Sequence, residues 1–372
     1  MSDQPPADAA TGDAASTAPS VPTTIDPTQT QVAFEHTFDR PLTACCWDPL
    51  DRFVVVGSED YGVQRFNLAN QQITPLIGPH DSWVRAIGFT PDGQTLISGG
   101  YDGRLIWWPA AADKPEPLRV VDAHTGWIRG LAVDPGGRYV ASCGNDLNVR
   151  LWDAQTGELL QTCSGHQSHV YNVAFAPHQS SLASCDLKGV VKVWDLSPLD
   201  HAATNSESAN GPAETLIAAR ELPPIAPLHK YDTSFRADIG GARCMRVSHN
   251  GERLALGGIT NVTNAFAGIG EVAVAIVNLS SGELETLLVA KEKIRGTAWG
   301  VAEHADGFWI GLAGGGSGGW LYFWRLDTAE EFFKLKLKSD ARGMSLSTTG
   351  AQIAVAHADR TLQIYNLHAP TS

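Results

Sequence analysis

The chain has no apolar run approaching the roughly 18–20 residues that a membrane-spanning helix requires. Its first thirty residues contain neither a basic stretch nor an apolar one after it, so no secretory signal is expected. Six cysteines form no CxxC pair and show no metal-ligand spacing, which excludes a zinc ribbon and argues against a disulfide framework. The signatures GxSxG and HExxH and the P-loop are missing too. The run GLAGGGSGGW (311–320) lacks the Lys-Ser/Thr of a phosphate cradle and is expected to be an extended turn. Positive charge is also scarce: 27 Lys and Arg face 40 Asp and Glu, for a formal net charge of −13. Asp3, Asp8, Asp13 and Asp26 meet no basic residue before position 31, which leaves −9 on residues 31–372. That balance lacks the basic footprint of sequence-independent nucleic-acid binding. Reduced thiols and no export signal point to the cytoplasm. Residues 1–30, rich in Pro, Ala, Thr, Ser and Asp, bury too little apolar surface to offset ordering entropy and are expected to form a disordered tail.

The chain does hold a repeat. HDSWVRAIGFTPDGQTLISGGYDGRLIWWP (80–109) and HTGWIRGLAVDPGGRYVASCGNDLNVRLWD (124–153) present nearly the same residue types in the same order. Aligning the residue that precedes the turn after each third strand selects Phe66, Trp108, Trp152, Trp194, Val277, Trp324 and Tyr365. Their separations are 42, 44, 42, 83, 47 and 41 residues. The wide gap contains LSPLDHAATNSESANGPA (196–213), which reads as a flexible loop, so the count is seven units. Within a unit, runs such as IRGLAV, RYVASC, VRLWD and ELLQTC are separated by turn residues, the pattern of short antiparallel strands. A four-stranded sheet of that kind buries both faces only when several pack radially.

Over residues 31–372 the sequence resembles the WD40-repeat β-propellers. His80, Ser98, Asp102 and Trp108 recur at the same offsets as His124, Ser142, Asp146 and Trp152. The resemblance implies that each set is a structural tetrad in which Trp donates to Ser, Ser bonds His and His bonds a buried Asp. The fourth unit keeps His166, Ser184 and Trp194 but has Lys188 in place of the acid, with Asp186 two residues away as an imperfect substitute. Trp47-Asp48 lies at the end of a first strand and is a decoy. The fold expected is all-β: a seven-bladed propeller whose last blade, ending in TLQIYNL (361–367), is completed by QVAFEHTF (31–38). Without that clasp an unpaired edge would remain.

Equivalent first-strand positions in WVRAIGF, WIRGLAV, GARCMRV, KIRGTAW and DARGMSL carry Arg85, Arg129, Arg243, Arg295 and Arg342. Each is followed by Ala, Gly or Cys, small residues that leave room for a long neighbour. First strands line the axial channel, so the five arginines are expected around one mouth. Trp83, Trp127 and His169 precede the strand starts, Tyr171 replaces Arg in the fourth unit, and Tyr101 and Asn145 precede the turn acids. Trp, Tyr and Arg dominate binding hot spots. The ring is neutralised either internally, by Glu59, Asp232 and Asp238 among others, or by an external carboxylate or phosphate that Arg grips bidentately. ITNVTNAFAGIG (259–270) and HKYDTSFRADIGG (229–241) are expected as long loops walling the same face. The function expected is a non-enzymatic, monomeric platform within a complex. It would bind a protein segment, preferably acidic, on this face, with no cofactor or metal and no membrane insertion. Two other readings stay open: a metal-dependent or small-molecule propeller enzyme or sensor, and a single-stranded nucleic-acid binder using Arg and Trp stacking.

Overall fold

The computed structural model describes residues 25–78, 80–199, 218–233, 236–264 and 269–369. Seven four-stranded antiparallel sheets form a closed ring of blades. Blades two and three show the plan. Val84–Phe89, Thr95–Gly100, Arg104–Pro109 and Arg119–Asp122 make blade two, and Ile128–Val133, Tyr139–Gly144, Val149–Asp153 and Leu159–Cys163 make blade three. The innermost strands of blades one, four, five, six and seven are Leu42–Trp47, Val170–Phe175, Ala242–Val247, Thr297–Glu303 and Ala341–Leu346. Second strands such as Phe53–Ser58 and Tyr139–Gly144 are buried at every residue, because a neighbouring blade covers each face. The seven residues used as a ruler share one register: each lies opposite the same second-strand position, Val54, Leu96, Val140, Leu182, Leu254, Trp309 or Ile353.

The hydrophobic core is seven cores, each wedged between adjacent blades. The blade two–three wedge joins Ile97, Leu105 and Trp107 to Ile128, Val140 and Trp152. The closing wedge joins Val54 and Phe66 of blade one to Ala354, Leu362 and Ile364 of blade seven. Gln31–Thr37 pairs antiparallel with Thr361–Asn366 as the fourth strand of blade seven, and Phe34 stacks on Phe66 at 4.2 Å. Small residues after the ring positions serve this packing. A Cβ at Gly130 would meet Tyr171 O at 3.1 Å and Asn172 Cα at 3.2 Å, so they let neighbouring inner strands approach rather than make room for the arginines.

Three expected boundaries change. Residues 1–24 of the expected tail lie outside the described residues, but 25–30 are ordered. Asp26 caps the short Pro27–Gln29 turn, its backbone N–H donates to Leu367 O at 3.0 Å, and Ile25 packs on the blade six–seven core. Of the expected loop 259–270, residues 259–264 and 269–270 instead continue two strands, Arg253–Asn264 and Ile269–Asn278, in which Ile259 pairs with Val272 and Thr260 with Glu271; residues 265–268 fall outside the described residues. Ile259, Val262 and Val272 bury themselves in that arm, which a loop would leave exposed. The approach to blade five is likewise a hairpin, His229–Asp232 paired with Ala237–Gly240. Of the loop 196–213, residues 200–213 fall outside the described residues; Leu196 is buried in the blade three–four core.

Candidate functional site at the channel mouth

Three His-Ser-Asp-Trp sets hold the second, third and fourth blades. In blade two, His80 Nδ1 lies 2.9 Å from Asp102 Oδ2, its Nε2 lies 2.9 Å from Ser98 Oγ, and Trp108 Nε1 donates to that hydroxyl at 2.9 Å. In blade three the corresponding distances are 2.9 Å (His124–Asp146), 2.8 Å (His124–Ser142) and 2.9 Å (Trp152–Ser142). Each serine accepts from tryptophan and so has its own proton for the imidazole, which leaves Nδ1–H to donate to the carboxylate. Arg150 donates to Asp146 Oδ2 at 2.6 Å. In blade four Asp186 fills the acid position that Lys188 vacates: it is buried and lies 3.1 Å from His166 Nδ1, while Ser184 bonds His166 at 2.7 Å and Trp194 at 2.8 Å. The decoy Asp48 has another use. Buried, it accepts two N–H groups of Arg52 at 2.7 and 3.0 Å, and Arg52 in turn reaches Gly93 O of blade two at 2.6 Å.

The ring at the mouth is set by backbone irregularity. Every innermost strand carries a β-bulge near its start, and the unpaired residue there is Thr43, Arg85, Arg129, Tyr171, Arg243, Trp299 or Arg342 in blades one to seven. A bulge re-aims its extra side chain, and seven such side chains meet on one axis. Arg295 does not belong to this ring. It bridges Glu271 before the strand begins, and Trp299, four residues on, holds the blade-six position. The local string KIRG imitates the other blades, but the inner strand of blade six starts later.

The bulged residues line a cavity of about 440 Å³, together with Trp83, Tyr101, Asp340 and the glycines 296 and 314–316. The glycine-rich turn therefore forms one wall, and Gly315 N donates to Asp340 Oδ1 at 2.6 Å. Around the rim runs a collar of alternating rings and cations. Trp83 stacks on Tyr101 at 5.8 Å and Tyr101 on Trp127 at 4.4 Å, within 2° of parallel. The Arg129 guanidinium lies 4.6 Å from the Trp127 ring and 4.8 Å from Tyr171, and Arg243 lies 4.8 Å from Tyr171. Trp83 and Trp127 remain 39 and 44% exposed. Arg129 also donates to Asn145 Oδ1 at 2.8 Å and to the Tyr101 hydroxyl at 2.9 Å. His169 is exposed beside blade four, outside the cavity lining, and its carbonyl accepts Leu187 N at 2.8 Å.

Internal neutralisation is partial. Glu59 pairs with Arg342. Asp340 is the sole carboxylate among the described lining residues, while Asp232 and Asp238 sit on the 229–240 hairpin. Arg85 and Arg243 each donate one N–H to a backbone carbonyl, Thr43 O and Gly240 O, both at 2.9 Å. Burial presses both guanidinium groups below the ordinary arginine range, and the charge of Arg129 adds to it. Elsewhere burial pushes the thiols of Cys46, Cys163 and Cys244 up to about 12. Among the described residues, no three or more His, Cys, Asp or Glu side chains are grouped to hold a metal ion. No helix of the described residues is long and apolar enough to cross a membrane.

The family model described as WD domain, G-beta repeat matches residues 71–109, 115–153 and 157–195. Each match begins in or before the outer strand of one blade and ends with the third strand of the next, the offset by which the repeat staples neighbours together. The chain is a WD40-repeat β-propeller. This propeller is 31% identical over 304 residues to apoptotic protease-activating factor 1 of Homo sapiens, covering 80% of the chain and 20% of that protein. It is 30% identical over 157 residues to the small ribosomal subunit protein RACK1y of Oryza sativa, covering 40% of the chain and 46% of that protein. Identity to periodic tryptophan protein 2 of Arabidopsis thaliana is 25% over 161 residues, covering 43% of the chain and 18% of that protein. The chain thus aligns with less than half the length of each of these relatives.

Proposed function

We propose that this propeller is a non-enzymatic interaction platform that binds a protein segment of acidic character over the Trp83, Trp127 and arginine face. WD40 propellers typically serve as protein-interaction scaffolds, which supports the class of function. The choice of face rests on one observation: four guanidinium groups share a cavity with a single lining carboxylate, in a chain of net charge −13. Exposed Trp83 and Trp127 beside them supply the apolar contact area that such anchors need. The test replaces Arg85, Arg129 and Arg342 together with Glu. Partner pull-down from the native host is expected to disappear while the variant, somewhat less stable for the loss of the Arg129–Tyr101 and Arg342–Glu59 contacts, still folds and unfolds cooperatively. Collapse of the fold would make the ring structural and remove this reading.

A further inference from the structure

The charge count at the mouth says more than that the partner is acidic. A carboxylate brings one negative charge and fits the fork of one arginine. Arg342 already has such a partner in Glu59, and Asp340 accepts from the backbone of Gly315. Among the described residues, Arg85, Arg129 and Arg243 have no carboxylate contact, and they approach the cavity from blades two, three and five. Three donors converging from three blades match a group with three acceptor oxygens and nearly two negative charges. A phosphate monoester has both: about −1.5 to −2 at neutral pH and three terminal oxygens. Tyr171 and Trp299 occupy two of the seven bulge positions between the arginines and give the cavity apolar walls for the stem carrying such a group.

From this we infer that the channel mouth is a receptor for one phosphate monoester, presented on a side chain of the partner segment. The inference rests on the docking face proposed above and names the group that enters it. Its source is a phosphorylated residue rather than a free metabolite, because the cavity opens beside the exposed Trp83 and Trp127, which a lone small ligand would leave unused.

The test is a titration of the full chain with N-acetyl-phosphoserine amide, N-acetyl-glutamate amide and adenosine monophosphate, at fixed ionic strength. The phosphoserine probe is expected to bind at least about tenfold more tightly than the glutamate probe, given roughly twice the charge and doubled charge-assisted bonding. Its affinity is expected to rise from pH 5.5 to 7.5, as the second phosphate proton, with a pKa near 6, is lost. Arg85→Gln and Arg243→Gln are each expected to weaken it about tenfold or more, while Arg325→Gln, remote on blade six, leaves it unchanged. Removing one of several like charges relieves repulsion, so the two cavity variants should unfold no earlier than the wild type. Equal affinity for phosphoserine and glutamate probes would overturn the phosphate while leaving the acidic docking face intact. Tighter binding of the nucleotide would overturn the side-chain source. Pull-down that survives phosphatase treatment yet fails with the Glu triple variant would overturn the phosphate but keep the face.

Discussion

Arg129 donates from Nη1 to the Tyr101 hydroxyl at 2.9 Å while its guanidinium carbon lies over the ring that stacks on Tyr101, that of Trp127, 4.6 Å from its centre. One side chain of blade three thus ties the turn of blade two to its own strand start. The rim is thereby fixed before any partner arrives, which spares the side-chain ordering that binding otherwise costs. A double-mutant cycle between Arg129→Ala and Tyr101→Phe should give a coupling of about 1.5 kcal/mol by chemical unfolding, the low end for a hydrogen bond involving a charged group, since both side chains are partly exposed. Additive effects would mean the contact carries no stability.

Ser142→Ala should destabilise the fold by about 1–3 kcal/mol, because it strands two buried partners at once, His124 Nε2 and Trp152 Nε1. Asp186→Asn should act similarly in blade four, whereas Lys188→Asp should bring no gain, since the acid position beside His166 is already filled. Urea unfolding of the three variants checks both statements. A stabilised Lys188→Asp would show that Asp186 is a poor substitute after all.

Acid should weaken this propeller in two steps. His124 is held below its ordinary value near 6.5, chiefly by burial and against the pull of Asp146. For Asp102 and Asp146 burial works upward, but hydrogen bonds from His80 and from His124 and Arg150 outweigh it and hold both below the usual carboxylate range. All three groups bind protons less readily folded than unfolded. Their contribution is therefore complete above the unfolded pKa values and is lost as pH falls: first below about 6.5, then below about 4. Urea midpoints at pH 7.5, 5.5 and 3.5 should fall in that order, and His124→Gln should flatten the first step.

Removing residues 1–38 should leave Thr361–Asn366 as an open edge and strip Phe34 from Phe66. Such an edge is a template for pairing with other chains, so the truncated protein should self-associate in light scattering and unfold earlier. Monomeric behaviour with unchanged unfolding would mean that the clasp is dispensable.

The tetrads of blades two and three were legible in the sequence because hydrogen-bond geometry fixes their spacing: His80 and His124 each precede their acid by the same 22 residues. The seven-blade count and the clasp were legible because strand lengths and turns repeat. Blade six was not. Its ring residue is decided by where a bulge falls, and a bulge leaves no residue-type signature, so Arg295 looked equivalent to Arg85 while Trp299 took the place. Counted along the chain, Asp186 stands two residues from the acid position and reads as a poor substitute. The side chain instead turns inward from a strand end opposite Val170. The extension of the two blade-five strands into the stretch 259–270 is not legible, because the cross-strand pairs that hold it, Ile259 with Val272 and Thr260 with Glu271, are visible only in three dimensions.

The pairing of Gln31–Thr37 with Thr361–Asn366 also dictates an order of events during synthesis. Gln31–Thr37 leaves the ribosome more than three hundred residues before the strand it must pair with. Six blades can take shape while that segment hangs free, but the circle shuts only once Thr361–Asn366 has emerged. Every nascent chain therefore passes through an open, horseshoe-like stage with two raw ends, and the time spent there, rather than the strength of the finished ring, sets its exposure to misassembly.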